Sequence, residues 1–226
     1  MEGNKVEEFE LGEPVLVCRW RLAGGKLPLE NRHLRALSRR VVLGRAVTPQ
    51  LVGWAKQHIE WTLQDGSAEN PDGVLMLVMD AEGRAAMSVG PYAPLANEGQ
   101  VDGGVPVEKL AERAAASERE ATEAGIAPET LWAAGPDGAL VAGFAEDAPK
   151  SGAASLVADL AATFGMKVRY EDDLASRAAA GAEGLGEVFL VSDEHGIVPA
   201  ADAKGETGAR FASAYAKLLD ATRDAR

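Results

Sequence analysis

Cysteine is nearly absent from this chain: Cys18 is the single one in 226 residues, which excludes an intrachain disulfide. Set within an apolar run, it is expected to be a buried, inert thiol in a reducing compartment. Basic residues are scarce too, with 23 Lys and Arg against 35 Asp and Glu. The formal charge of −12 repels a phosphodiester backbone, and no Lys/Arg run reaches the density of a nucleic-acid footprint. The tightest basic group, Arg32, Arg35, Arg39, Arg40 and Arg45, falls on one expected helix and its exit and reads as a solvated helical face rather than an anion site. Long hydrophobic runs are missing: the longest, Val74 to Met79, is far too short to span a bilayer. The acidic start, Met1 to Glu10, lacks the basic and apolar regions of a signal peptide, so a cytoplasmic chain without a membrane segment is expected. Aromatics make up only 5%, yet 46% hydrophobic and 26% charged residues argue against disorder throughout, and the length suits two modest domains.

What is present reads as alternating short elements. Val15 to Leu22 forms a strand ending at Ala23-Gly24-Gly25-Lys26, and Pro28 to Asn31 starts a helix running to about Val42 with Gly44 as its stop. Thr48-Pro49 opens a second helix, on which Leu51, Ala55, Ile59 and Leu63 recur at helical spacing. Val74 to Asp80 and Ala85 to Val89 pair as a hairpin. Pro91 to Pro106, rich in Pro, Gly and Asn, is the linker candidate, which gives an N-terminal α+β domain over 1–95, a linker over 96–106 and a C-terminal α+β domain over 107–226. Beyond it come a helix over Val107 to Ala124 stopped by Gly125, a hairpin of Thr130 to Ala134 with Ala139 to Phe144 around Pro136-Asp137-Gly138, and a helix over Ser151 to Phe164. Lys167 to Tyr170 is a short strand, Asp172 to Ala180 a helical turn or two, Glu187 to Ser192 a buried strand, and Arg210 to Arg223 the closing helix. This order implies α+β rather than a doubly wound parallel sheet.

The common chemical motifs are missing. No HExxH, paired CxxC or EF-hand pattern occurs, and His33, His58 and His195 are far apart, so no metal is expected and each reads as an ordinary histidine. No GxSxG elbow marks a nucleophilic serine. Gly143 to Ser151 ends in Pro-Lys-Ser, but Pro149 stands where a phosphate loop needs a glycine N–H. Asp102-Gly103-Gly104 does not follow a strand in a βαβ unit, so a dinucleotide fingerprint is unsupported.

The stretch Gly186-Glu187-Val188-Phe189-Leu190-Val191-Ser192, then Gly196-Ile197-Val198-Pro199-Ala200, then Gly205 and Gly208 before a last helix resembles the end of the fold type IV pyridoxal-phosphate enzymes. That family includes branched-chain and D-amino-acid aminotransferases and aminodeoxychorismate lyase. Ser151 to Met166 followed by Lys167-Val168, Glu118-Arg119-Glu120-Ala121 with Gly125, and Gly12 to Arg21 with Leu29 to Leu37 containing His33-Leu34 are similar to further pieces of the same family, in the same order. The resemblance implies a two-domain α+β, fold-type-IV aminotransferase-like architecture with the cofactor in the cleft between domains, and a homodimer.

It also implies a site, and the matching positions depart from it. The lysine that bonds the cofactor falls at Val107. Lys109 lies two residues on, and two helical residues turn a side chain by about 200°, away from the same cleft. The phosphate-binding arginine, three residues after the family's histidine, is Ala36. Two phosphate-binding threonines fall at Ala154 and Asp193, the second a carboxylate that repels a dianion. The glutamate for the ring nitrogen is Ala142, and the stretch from Phe144 to Ala148 is shorter than the family's by about one hairpin. The expectation is a shortened, degenerate homologue, a pseudoenzyme that binds no cofactor and serves binding or regulation. The alternative is a divergent pyridoxal-phosphate-dependent aminotransferase or lyase using Lys109, Lys150 or Lys167. A third reading puts another small molecule in the cleft, cationic given Asp193, Glu194 and Glu171-Asp172-Asp173, against the plainer reading of solvated acids.

Overall fold

The computed structural model describes residues 10–95, 104–135, 137–181 and 184–225. The start of the chain to Phe9, residues 96–103 of the expected linker and Pro136 of the expected turn lie outside the described residues.

The N-terminal elements are β1 (Pro14–Arg21), α1 (Glu30–Leu37), β2 (Val41–Val42), β3 (Arg45–Ala46), α2 (Pro49–Gly66), β4 (Val74–Asp80) and β5 (Ala85–Gly90). β1, β4 and β5 form an antiparallel sheet in that order. Alternation sends Leu16, Cys18 and Trp20 of β1 inward, where they meet Leu34 and Leu37 of α1, Ala55 and Ile59 of α2, and Leu75 and Leu77 of β4. The Thr48 side chain accepts from Leu51 N at 3.3 Å with Pro49 at the first helical position, so α2 starts where its cap residues dictate. The first helix is shorter than its expected run to Val42. It ends at Leu37, and Leu43 (φ 49°) and Gly44 (φ 73°) make a two-residue left-handed turn joining β2 to β3. Arg40 corrects the reading of a solvated basic face: it lies beyond the helix and is 3% exposed.

The C-terminal elements are α3 (Val107–Ala124), β6 (Glu129–Ala134), β7 (Leu140–Ala142), α4 (Gly152–Thr163), β8 (Val168–Tyr170), α5 (Leu174–Ala179), β9 (Glu187–Ser192), β10 (Gly196–Pro199) and α6 (Glu206–Asp224). They build a five-stranded sheet ordered β10-β9-β6-β7-β8, antiparallel except for the β7–β8 pair. One face carries Leu131, Ala133 and Leu190 against Leu110 and Ala114 of α3 and Leu174 of α5. The other carries Trp132, Leu140 and Phe189 against Val157 of α4 and Phe211 of α6. Strands covered on both faces read as unbroken apolar runs, and full burial of a side chain such as Phe189 contributes about 1.5–3 kcal/mol. Gly125 ends α3 at φ 77°, as its position in the sequence requires. α6 begins four residues before Arg210 because the carboxylate of distant Glu187 accepts from Thr207 N (2.8 Å) and Gly208 N (3.0 Å). Among the described residues no helix is long and apolar enough to cross a membrane.

Candidate functional site

α4 begins at a conventional cap: Ser151 Oγ accepts from Ala154 N at 3.2 Å. The neighbouring free amide, Ala153 N, donates to Asp193 Oδ1 at 2.8 Å. A helix N-terminus presents unpaired N–H groups and a partial positive charge, so a carboxylate there is favoured. Asp193, in the turn between β9 and β10, supplies that carboxylate while only 4% exposed. Its backbone is tied as well, accepting from Arg21 N at 3.1 Å and donating to Pro128 O at 3.2 Å.

His33 of α1 stands on the other side. Its Nδ1 is 3.6 Å from Asp193 Oδ2, an electrostatic contact longer than a hydrogen bond, and its ring stacks on Trp20 at 5.3 Å between centroids. The ring also presses on the start of α4, where a Cβ at Gly152 would collide with Nδ1. Arg40 is buried behind this pair, with Nη1 3.8 Å from Glu120 Oε1. Burial drives the Asp193 carboxyl upward, but His33, the Ala153 N–H and Arg40 outweigh it and hold the group below the usual aspartate value. Cys18 borders the same charges, and burial pushes its thiol up to about 11, which keeps it inert.

Of the positions singled out in the sequence, the structure brings Asp193 onto the first turn of α4, next to Ala154. Ala142 is fully buried in the core beside Trp132 and Phe144. Ala36 borders a surface hollow of about 240 Å³ with Arg32, Arg35, Arg39 and Lys150, so Arg35 and Arg39, which flank it in sequence, share its rim. Val107 lines a different cavity, of about 560 Å³, with Ala178 and Val188. Lys109 is 53% exposed and paired with Glu112 at 2.7 Å, a bond that raises its pKa. Lys167 is exposed, and Lys150 Nζ lies 5.5 and 5.4 Å from the Phe144 and Tyr170 rings. Among the described residues no group of three or more His, Cys, Asp or Glu is placed to hold a metal.

Two features escaped the sequence reading. His33 meets Asp193 across most of the chain, and its only local signal is its place on the buried side of α1 with Leu34 and Leu37. Glu118 falls on the inward stripe of α3 set by Leu110, Ala114 and Ala121, a spacing that could have marked it. It lines a cavity of about 210 Å³ with Phe144, Lys150 and Asp172, and its Oε1 is buried without a hydrogen-bond partner. Burial first, and then the charge of Asp172, push its carboxyl up to about 7 against the opposing pull of Arg119.

No protein-family model and no curated protein matches this sequence. Solved structures do match. A hypothetical aminotransferase from Mycobacterium tuberculosis, in its apo form, superposes with a TM-score of 0.56 at 18% identity over 94% of this chain and 90% of that one. A fold IV transaminase from Curtobacterium pusillum gives 0.56 at 16% identity over 92% and 86%. The branched-chain amino acid aminotransferase of Escherichia coli gives 0.55 at 12% over 90% and 84%. The chain therefore has the α+β fold of the fold type IV aminotransferases. At 12–18% identity the likeness is one of fold.

Proposed function

We propose that this chain is a non-catalytic homologue of the fold type IV pyridoxal-phosphate enzymes, whose retained architecture serves binding or regulation. One observation carries the reading: the N-terminal amide of α4 is taken by the chain's own Asp193 carboxylate, with His33 beside it. Helix N-termini are ready-made phosphate sites, and here the anion is internal. A coenzyme phosphate brought to this turn meets a like charge, the buried methyl group of Ala154, and no room beside the His33 ring. The residues present do not suit the cofactor. Lys109 adds support: a lysine that must lose its proton to react is instead exposed and held protonated by Glu112.

The alternative, a divergent pyridoxal-phosphate enzyme, has a specific observation in favour of Lys150 rather than Lys109. Lys150 borders both the basic hollow beside Ala36 and the cavity that contains Glu118. Incubation with pyridoxal phosphate, borohydride reduction and mass mapping separates the readings. The non-catalytic reading expects no stable absorbance change and no modified peptide. A stoichiometric adduct on Lys150, Lys109 or Lys167 overturns it. By the same resemblance we assign the chain to a cytoplasmic homodimer, which light scattering on the purified protein tests.

A further inference from the structure

The cavity beside Glu118 lies between the last turns of α3, the end of β7 and the segment leading into α4. Much of its wall is apolar, made by the methyl groups of Ala121, Ala148 and Ala154 and the ring of Phe144. That ring stands edge-on to Trp132 with 5.5 Å between centroids, which makes it a rigid platform. Two carboxylates line the same space, Glu118 from α3 and Asp172 from the turn between β8 and α5. At about 210 Å³ the cavity is smaller than the roughly 300–1,000 Å³ of pockets for drug-sized ligands, so a guest here is small.

Neither acid is matched by the chain. Glu118 Oε1 is buried without a hydrogen-bond partner. Arg177 takes the two acids on either side of Asp172, Glu171 at 2.7 Å and Asp173 at 3.4 Å, and among the described residues no basic group lies within 4.0 Å of Asp172 or Glu118. Lys150 shares the wall, but its ammonium donates to the Glu146 carbonyl at 3.3 Å and stands 5.5 and 5.4 Å from the Phe144 and Tyr170 rings. Arg119, next to Glu118 on α3, is exposed and offsets only part of the effect of burial. A buried carboxyl oxygen without a donor costs free energy, which a guest that brings a donor recovers. An ammonium brings N–H groups and the opposite charge together. A divalent metal ion takes about six oxygens, but the Thr130 and Ser151 hydroxyls already accept from Trp132 and Ala154, and the two acids are too few. The charge of Lys150 orients the guest, with its cationic end toward α3 and its apolar body against Phe144.

We propose that this cavity binds a small organic ammonium ion, its charged nitrogen held by Glu118 and Asp172 and its apolar body resting on the Phe144 ring. The site is independent of the non-catalytic reading, because it rests on acids outside the Asp193 turn. Calorimetric titration of the full chain with butylamine as the probe, and with butanol and butyrate as neutral and anionic controls of similar shape, tests it. Saturable amine binding with a Kd of about 1 mM is expected at pH 8, where Glu118 is ionised. With that carboxyl at about 7, roughly a tenth of it is ionised at pH 6, so the affinity falls about tenfold there. The guest favours the charged carboxylate, so binding at pH 7 releases about half a proton, read as a heat that varies with the buffer. Glu118→Gln loses roughly tenfold or more at pH 8, and the pH dependence with it. Ala121→Leu loses a similar factor by filling the cavity with both acids intact, whereas Glu123→Gln, at an exposed acid of α3 outside the cavity, binds as the parent does. Absence of saturable binding at pH 8, equal affinity for butanol, or a Glu118→Gln variant that binds like the parent overturns the proposal. The titration contains no pyridoxal phosphate, so its result and that of the borohydride experiment fail separately.

Discussion

Replacing Asp193 by alanine removes at once the acceptor of a buried amide and the carboxylate that faces the buried His33 ring and the Arg40 guanidinium. Ala153 N, bonded at 2.8 Å, is left without a partner, which costs about 1–3 kcal/mol. Arg40, 3% exposed, loses the nearby charge of Asp193, and the His33 ring, 2% exposed, loses its carboxylate contact; removing one side of a buried charged contact costs up to about 3–5 kcal/mol. The two losses share the same atoms and do not add, so the expected destabilisation is about 3–5 kcal/mol, a fall in Tm of roughly 10 °C for a chain of this size. Asp193→Asn keeps an oxygen for Ala153 N and loses only the charge, so it falls between the parent and the alanine variant. The pH dependence follows from the depressed carboxyl. Its stabilisation is complete above the ordinary aspartate value of about 3.9 and disappears as the pH falls through the lower folded value. Urea unfolding at pH 7 and pH 3, followed by fluorescence of the buried Trp20 and Trp132, measures both effects. An alanine variant within about 1 kcal/mol of the parent at pH 7, or a gap that does not narrow at pH 3, would refute the electrostatic account.

Two further outcomes are expected. Glu187→Ala strips two amides at the start of α6 of their shared acceptor and should cost about 1–2 kcal/mol, with loss of helicity; an unchanged circular dichroism spectrum and midpoint would show that water replaces the carboxylate without penalty. Glu118, with its carboxyl raised to about 7, keeps a proton in the folded chain that the unfolded chain has released, so parental stability should decline as the pH rises toward neutrality and then level off. Glu118→Gln lacks that decline and gains on the parent between pH 5 and pH 8; parallel curves for the two proteins would contradict the assignment.

Local chemistry made much of the architecture readable. Val107–Ala124 and Glu187–Ser192 have the boundaries that their composition and flanking glycines set, and Thr48-Pro49 fixes the start of α2. The β2–β3 hairpin was hidden because Leu43 adopts the left-handed conformation usually reserved for glycine and asparagine, so the sequence continues the pattern of a helix. β10 was not among the expected strands. It follows the left-handed Gly196, whose missing Cβ lets the Tyr215 ring pack directly on the backbone. The early start of α6 depends on Glu187, a tertiary partner with no local trace. The same holds at the candidate site. Position 193 was readable as an acid out of place, but its engagement with Ala153 and His33 is created only when the two sheets meet. Arg40 was read as one member of a solvated row, because burial beyond the end of a helix has no periodicity to announce it.

Arg21, Pro128 and Ala153 belong to three separate stretches of chain, and all three hydrogen-bond to residue 193. Such a joint has a kinetic signature: the amide protons of Arg21 and Ala153 exchange with solvent only when it parts, and they do so at a common rate. Rocking of one sheet over the other would strain all three bonds together, two of them held by the backbone of residue 193 and one by its carboxylate.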